Sequence, residues 1–392
     1  MSIKAQKKEV FNSEEELAKF LQSNLNETLK QAIRVTVKLM IKQEMESLRR
    51  ELDEKLSFNG YYGRKMLSPA GAINNISVPR FREKQINELS LESMSIFDVE
   101  KDKFFRLIAE MHRLGISQEK IRRLCSTFLG TKISKSRVGL VHRELAKETS
   151  FQINQQPLSD EYIQLYADGI WVKCKNYGLK ADNLAVLLCV LGVTKAGRRK
   201  IIGFQLADQE DFASWSGLLQ DIKTRGVLGK NLKVITTDDN GGLIKSIKHF
   251  YPKVSTQLCI VHKMRNVLGK ARHKNKSTIG EDLKAIYNAQ TKKDAIIQYQ
   301  RFCRKWYITE EKSVRSLRFN FDKTLTYFDF PKEIWKKIRT TNILEREFRE
   351  VRRRIKVFDS SFNHRDSTNN YANSIFNYLN NHYPAQALHT KA

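Results

Sequence analysis

The feature that most constrains this chain is a change of hydrophobic period near residue 160. Three apolar or β-branched runs follow one another from there: "YIQLYADGIWVKC" (162–174), "LAVLLCVLGVT" (184–194) and "RKIIGFQLAD" (199–208). A helical stretch "DFASWSGLLQDIKTRG" follows, then a strand "LKVITTD" (232–238), a helix "GLIKSIKHFY" and a strand "VSTQLCIV" (254–261). Three strands in meander, then alternating helix and strand, predict a mixed α/β sheet.

That element order is the order of the RNase H-like fold, which is evidence about fold and not by itself about function. The flanking segments read as helical. Ser13 followed by Glu16 forms a capping box opening a helix to about Leu56. Its apolar stripe runs through Leu17, Leu21, Leu25, Leu29 and Ile33, then Leu48 and Leu52, to be buried on a partner subunit or on its own domain. Residues 59–83 break the pattern with glycines, prolines and one short strand, "AINNISVPRF". From 101 to 148 come "KDKFFRLIAEMHRLG", "ISQEKIRRLCSTFLG" (capped by Ser117) and "SKSRVGLVHRELAKE". They read either as a helix-turn-helix module, with Ser134, Lys135, Ser136 and Arg137 opening the recognition helix, or as a plain three-helix bundle with a basic face. Phe151–Gln156 is polar enough for a linker. Residues 263–335 are helical, a last helix runs from about Asn342 to Lys356, and an Asn-rich tail keeps one weak stripe through Ile375 and Leu379. The expected domains are therefore 1–58 (a long helical region with oligomerisation as one role), 59–150 (DNA binding), 151–262 (the first part of the core), 263–335 (a helical insertion), 336–358 (a C-terminal catalytic helix) and 359–392 (a polar tail).

The 392 residues hold 70 Lys and Arg against 43 Asp and Glu, a formal net charge of +27. Such an excess attracts polyanions, nucleic acid first among them, although a ribosome-associated or membrane-surface protein would share it. No apolar run approaches the roughly 18 residues of a membrane span, and "MSIKAQKKEVFNSEEE" lacks the apolar core of a signal peptide. Five scattered cysteines (Cys125, Cys174, Cys189, Cys259, Cys303) fit a reducing compartment. The expectation is a cytoplasmic, nucleoid-associated protein without a membrane partner.

In so basic a chain the placement of acids is informative. Asp168 stands at the end of the first strand and Asp238 at the end of the fourth, which are neighbours in an RNase H-like sheet. Adjacent carboxylates repel, and one takes a proton unless a cation lies between them. Hard oxygen ligands at an open site suit Mg²⁺ or Mn²⁺. A third acid from "TTNILEREFREVRRRIK" (340–356), where Glu345, Glu347 and Glu350 are the candidates, would complete a clamp for phosphodiester chemistry. Each acid also has a plainer reading: "DG" is a turn signal, Asp before Asn-Gly-Gly can cap a helix, and Asn342 as N-cap would give Glu345 a first-turn role. Consecutive strand residues face opposite ways, so Asp239 reads as a turn or capping residue.

The blocks "NGYYGRKM", "SVPRFRE", "YADGIWVKC", "SWSGLLQDIKTRGV", "TDDNGGL", "QLCIVHKMRNVL", "FDFPKEIWKKIRTTNILEREF" and "RRRIK" occur in this order. Over about residues 59–358 the chain resembles the Mutator superfamily of transposases, specifically the bacterial insertion-sequence members. The resemblance implies a DDE transposase with an RNase H-like core and an all-helical insertion before the final acidic helix. Its catalytic, metal-holding pattern falls on Asp168, Asp238 and Glu345, with Mg²⁺ as the cofactor and Mn²⁺ able to substitute. It further implies double-stranded DNA as partner (terminal inverted repeats and target), 3′-end hydrolysis followed by strand transfer, a homodimer or larger multimer, and a circular intermediate. One departure is Thr237-Asp238-Asp239 where the family usually has Ser-Asp-Gly; registering on Gly242-Leu243 selects Asp238. The rival readings are a catalytically silent DNA-binding regulator and a structure-selective nuclease of the same fold.

Cys259 and His262 form a lone Cys-x-x-His. Structural zinc needs four ligands, and no second pair lies nearby beyond a conceivable His273, so no zinc is expected. The resemblance implies that the motif shapes the site and contacts DNA, with Arg265 and Asn266 following on one helix face. Arg349, Arg352, Arg353 and Lys356 read as phosphate contacts because their helix also carries Glu345. Arg80 and Arg82 in "SVPRFRE", with Arg122, Arg123, Lys135 and Arg137, complete the expected DNA contacts. Trp306 reads as core.

Overall fold

The computed structural model describes residues 14–51, 58–81, 92–148, 153–174, 184–355 and 365–382, and the chain divides into two compact units between Leu145 and Ala146. The first contains helix α1 (Glu14–Glu51), an antiparallel hairpin of β1 (Phe58–Ser68) and β2 (Gly71–Phe81), and helices α2 (Ser95–Arg113), α3 (Gln118–Leu129) and α4 (Lys135–Glu148). The segment read as glycine-rich with one short strand is thus two strands. The cause is visible in β1: Tyr62, Arg64, Met66 and Ser68 are more buried than Tyr61, Gly63 and Lys65, a period of two. The stripe that α1 lays on this hairpin is Val37, Ile41 and Met45 with Ile33 and Leu48, against Met66, Ile73, Ile76 and Val78. Leu29 lies off it at 47% exposure. Ser13, Leu52 and the side chains of Leu17, Leu21 and Leu25 lie outside the described residues. Helices α2 to α4 share a core of Phe104, Ile108, Ile121, Cys125, Val138 and Val141. The expected Ser117 cap is present, its side chain accepting from Lys120 N, and Gly130 ends α3 in the left-handed region.

The second unit is built on a five-stranded sheet in the order β5-β4-β3-β6-β7. Its strands are β3 (Tyr162–Lys173), β4 (Leu184–Thr194), β5 (Arg199–Ala207), β6 (Val234–Thr237) and β7 (Ser255–Leu258). The β3–β4 and β4–β5 pairs are antiparallel, and β3–β6 and β6–β7 are parallel. Alternate residues of the central strands feed two cores. Leu165, Ala167, Val186 and Leu188 meet α5 (Phe212–Thr224) and α6 (Gly241–Phe250). These two helices approach closely: a Cβ on Gly242 would stand 2.6 Å from the Asp211 carbonyl carbon, and Ser216 meets Ser246 at 3.0 Å. Tyr166, Ile170, Leu187, Cys189 and Leu191 meet α13 (Asn342–Ile355) and α14 (Arg365–His382) on the other side.

Between β7 and α13 lie α7 (Ile260–Lys270), α8 (Lys276–Tyr287), α9 (Lys292–Trp306), α10 (Glu311–Arg318), α11 (Phe321–Thr324) and α12 (Lys332–Ile338). They share their own apolar cluster, in which Trp306 is 8% exposed with its indole donating to Asp282 at 2.7 Å. Among the described residues no helix is long and apolar enough to cross a membrane.

The helical stripe expected through Ile375 and Leu379 is present, while the polar character read for two segments is corrected. The Asn-rich stretch 365–382 is a core helix, because Tyr371, Ala372, Ile375, Phe376 and Leu379 make one apolar face. Its asparagines then serve backbone: Asn380 bonds both Ile201 N and Ile201 O, and Asn373 accepts from Ile153 N. The supposed linker is likewise fastened where it is described. Ile153 is 1% exposed, Asn154 bonds the main chain of Phe204 in both directions, and Arg225 holds the carbonyls of Ile153 and Gln156. Polar composition hid both, since amide side chains can replace missing backbone partners as well as face water.

Candidate active site

Parallel pairing of β3 with β6 runs from Gln164–Val234 to Ala167–Thr237. Asp168 and Asp238 are the next residue on each strand, which sets them at the same level of adjacent chains. Asp168 is not at a strand end as its sequence suggested. β3 continues through Gly169 to Lys173, held by β4 through the Asp168–Cys189 pair. The "DG" pair therefore makes no turn, because a long apolar partner strand overrides a local preference. Asp168 is 8% exposed. Burial first, and then the Asp238 carboxylate, pushes its carboxyl up to about 8, with Glu210 and Glu345 adding to the repulsion. Burial also raises Asp238, against the opposing charge of His262.

Sequence reasoning missed Glu210. It sits in the "DQED" turn between β5 and α5, pushed up to about 7 by burial and then by Asp238. A Cβ at residue 169 would lie 2.5 Å from Glu210 Oε1, so the missing side chain of Gly169 is what lets this carboxylate lie against the Asp168 strand. Asn240 Nδ2 holds the Glu210 main-chain carbonyl at 3.0 Å. An acid just before the α5 cap residue Asp211 was the available signal.

Glu345 reaches the cluster from α13, and the Cys-x-x-His pair puts it there. Cys259 closes β7 and is 1% exposed. Its Sγ accepts from Thr341 N at 3.3 Å and from the Thr341 hydroxyl at 3.4 Å. Ile260 N donates to Arg339 O at 3.0 Å, a further stitch between the strand end and the turn that leads from α12 into α13. One turn along α7, His262 Nε2 meets Glu345 Oε1 at 2.8 Å. Thr341, not Asn342, stands at the cap position, since Glu345 N bonds Thr341 O at 2.9 Å. Its hydroxyl serves Cys259 instead of the helix, which leaves Glu345 free of a capping role.

Asp239 behaves differently from Asp238. It caps nothing, for Asn240 is the N-cap of α6 and accepts from Leu243 N at 3.0 Å. Asp239 pairs with Lys263, which is 2% exposed, and accepts from Asn320 Nδ2 at 2.8 Å. Lys263 Nζ also donates to Phe319 O at 2.7 Å and Ser316 O at 3.3 Å. The second aspartate is thus a buried ion pair fastening the turn between α10 and α11 to the end of β6.

A family model described as "Transposase, Mutator family" matches residues 4–385. The chain belongs to the Mutator family of transposases. The transposase for insertion sequence element IS905 of Lactococcus lactis is 26% identical over 76% of this chain and 74% of its own. That for element IS256 in transposon Tn4001 of Staphylococcus aureus is 25% identical over 88% of each chain. That for element IS1081 of Mycobacterium tuberculosis is 30% identical over 64% of this chain and 60% of its own. Among solved structures, a Drosophila P element transposase strand transfer complex aligns with 76% of this chain and 86% of that one, at 12% identity and a TM-score of only 0.32.

For a transposase of this family the donor chemistry around Asp168 suits a hard divalent cation. All the donors are carboxylate oxygens, and burial without compensating charge has pushed three of them upward, which is the electrostatic state a cation relieves. Among the described residues no three His, Cys, Asp or Glu side chains already stand in a metal-holding arrangement, and Glu345 is engaged by His262. The fit is therefore one of charge and donor type.

The remaining expected residues are dispersed. Arg265 is close, its guanidinium 3.9 Å from Glu345 Oε1, with exposed Asn266 beside it. Arg349, Arg352 and Arg353 are exposed on α13, with Arg353 on Glu350 at 3.0 Å. Glu347 is raised by burial and, with Arg349, lines a separate recess with Arg199 and Asn380. In the first unit Arg122, Arg123 and Lys135 all pair with Glu119, which they hold well below the usual carboxylate range. Arg137 lies over the Phe105 ring and Arg80 over Tyr62. Arg82 and Lys356 lie outside the described residues.

Proposed function

We propose that this chain is an insertion-sequence DDE transposase that cuts the 3′ ends of its element and joins them to target DNA. The observation that carries the reading is the set of mutually repelling carboxylates, buried Asp168 on β3 with half-buried Asp238 at the end of β6 and Glu210 in the β5–α5 turn, met by Glu345 on α13. The strand order, with two parallel pairs beside an antiparallel meander, supports an RNase H-like core. Asp168 and Asp238 would hold a divalent cation from adjacent strands, and Glu345 would join them. Mg²⁺ is the fitting ion, with Mn²⁺ able to replace it. Such an ion would supply a nucleophilic water at neutral pH and stabilise charge at the phosphate.

The protein's own part is placement. Cys259 and Thr341 fix the start of α13, His262 orients the Glu345 carboxylate, and Arg265 presents a cation where a phosphate would approach. Water attack breaks one P–O bond and frees a 3′-hydroxyl, which then attacks a target phosphodiester in line, again exchanging one P–O bond for another. Reading of the inverted repeats falls to helices α2 to α4 as a helix-turn-helix, with Arg137 at the opening of α4. A homodimer or larger assembly, pairing two ends in the cytoplasm at the nucleoid, follows from the same reading.

The test uses the full chain and a supercoiled plasmid bearing its gene with flanking DNA, in Mg²⁺. Cleavage at both element ends, lost with Asp238→Asn while binding persists, is the expected result. Binding without cutting by the unaltered protein would leave a regulator, and preference for branched DNA of any sequence would leave a structure-selective nuclease.

A further inference from the structure

We infer that the recess beside the carboxylates binds an unpaired nucleotide of the DNA end, its base stacked on Phe319. The inference rests on the transposase reading and adds a ligand subsite to it. The recess, about 640 Å³, is lined by Asp239, Lys263, Arg265, Lys270, Arg315 and Phe319, with Asn266 among its polar walls. That size falls within the usual range of ligand clefts.

Its position follows from contacts already described. Asp239 is the chain neighbour of Asp238, and Arg265 reaches 3.9 Å from Glu345. Whatever occupies the recess therefore lies beside the acid cluster.

Phe319 is 63% exposed, yet it is not a loose surface side chain. It ends α10, with its N–H on Arg315 O at 3.1 Å and its carbonyl on the buried Lys263 ammonium at 2.7 Å. Asn320, next in the chain, takes a left-handed conformation at φ 50° and is held there by Asp239. A non-glycine residue in that region costs free energy, and here a tertiary bond from its side chain to Asp239 holds it. The turn is thus built to present the ring at a set place. Lys263 Nζ lies 5.7 Å from the ring centroid, so a cation already stands against the ring.

Around this ring the walls are cationic. Arg265 and Lys270 are exposed, and Arg315 is exposed while paired with Glu311 at 2.6 Å. A single exposed apolar residue normally needs no explanation. An aromatic ring fixed by its backbone among cations is another matter, because it is the composition of surfaces that hold single-stranded nucleic acid: charge for the backbone, a π face for the base. A duplex offers no free base face, so the occupant is an unpaired nucleotide. A DNA end splayed there would bring its adjoining phosphate to the acids.

The test uses full-length Asp238→Asn protein, which holds DNA without cutting it, on element-end duplexes. In one probe the nucleotides flanking the cut site are mismatched, with 2-aminopurine at the unpaired position; the other is fully paired. The protein should quench 2-aminopurine by stacking. Adding Phe319→Ala should abolish the quenching and weaken the mismatched probe roughly tenfold, while the paired probe changes little. Phe319→Trp should restore both. Melting curves check that Phe319→Ala is folded, as its main-chain carbonyl still serves Lys263. Unchanged quenching with Phe319→Ala overturns the inference, and so does an equal loss on both probes, which would mark a duplex-backbone contact. A protein whose unaltered form never cuts element ends fails the transposase reading instead. If it cuts normally and only the Phe319 result fails, this subsite alone is wrong.

Discussion

Asp238 and Asp239 are consecutive residues, and the two regions they open could hardly be more different. Around Asp238 lie Asp168, Glu210 and Glu345, carboxylates whose charges are mostly uncompensated. Around Asp239 lie a lysine ammonium, an asparagine amide and the turn they hold. One region is left short of positive charge and the other is neutralised by an ion pair. Burying charge without a partner costs free energy and is kept where something must bind, whereas a completed pair is a structural fastening. The difference teaches that the working acid is told from its neighbour by what fails to compensate it.

The largest effects should separate the two aspartates by kind. Asp168→Asn, Asp238→Asn and Glu345→Gln should each reduce element-end cleavage below detection while the protein stays folded and DNA-bound. Asp239→Ala should act on the fold. It leaves Lys263 buried and unpaired, which costs about 3–5 kcal/mol and should appear as an earlier denaturant midpoint. Loss of stability in Asp238→Ala of the same size as in Asp239→Ala would erase the distinction.

A smaller effect is expected at the support of the acid region. His262→Ala should lower cleavage roughly 10–100-fold, the usual cost of removing a partner that orients a metal ligand. Full activity in that variant would mean that the 2.8 Å contact with Glu345 does not survive in the working state. Glu210→Gln tests whether the fourth carboxylate belongs to the same region. Its metal-induced rise in melting temperature should shrink relative to the unaltered protein, and an unchanged rise would place Glu210 outside the ion's field.

The sheet was legible because its strands are long, apolar and bounded by turn residues; the spans read from the sequence differ from β3–β7 by at most a few residues at each end. Asp168 and Asp238 were legible for the same reason, since strand order makes neighbours of residues 70 positions apart without any side-chain detail. Other features depend on tertiary partners that leave no local signature. Glu210 matters because Gly169 lacks a side chain, and Cys259 matters because Thr341 returns to it across the helical insertion. Asn380 looks like a tail residue until its partner on β5 is known. The capping role read for Asp239 fits the local "DDNGG" pattern, but Asn240 takes the cap and Lys263 takes the aspartate.

The pH dependence of stability is the most direct measure of uncompensated charge. Asp168 ordinarily titrates at 3.8 and is pushed up to about 8 in the fold. Between those values the folded state keeps a proton that the unfolded state has lost, so stability falls as pH rises through the window. Asp168→Asn removes this titration, while its Oδ1 still accepts the Gly169 N–H that Asp168 holds at 2.9 Å. In chelator, the variant and the unaltered protein should therefore melt alike near pH 4. The variant should gain steadily above that and level off past about pH 8. Each kcal/mol gained would raise the melting temperature by about 2–4 °C in a unit of this size. Adding Mg²⁺ should restore the unaltered protein and leave the variant where it was. A difference that does not grow with pH, or one that favours Asp168, would show that this carboxylate is compensated after all, and the contrast with Asp239 would lose its physical basis.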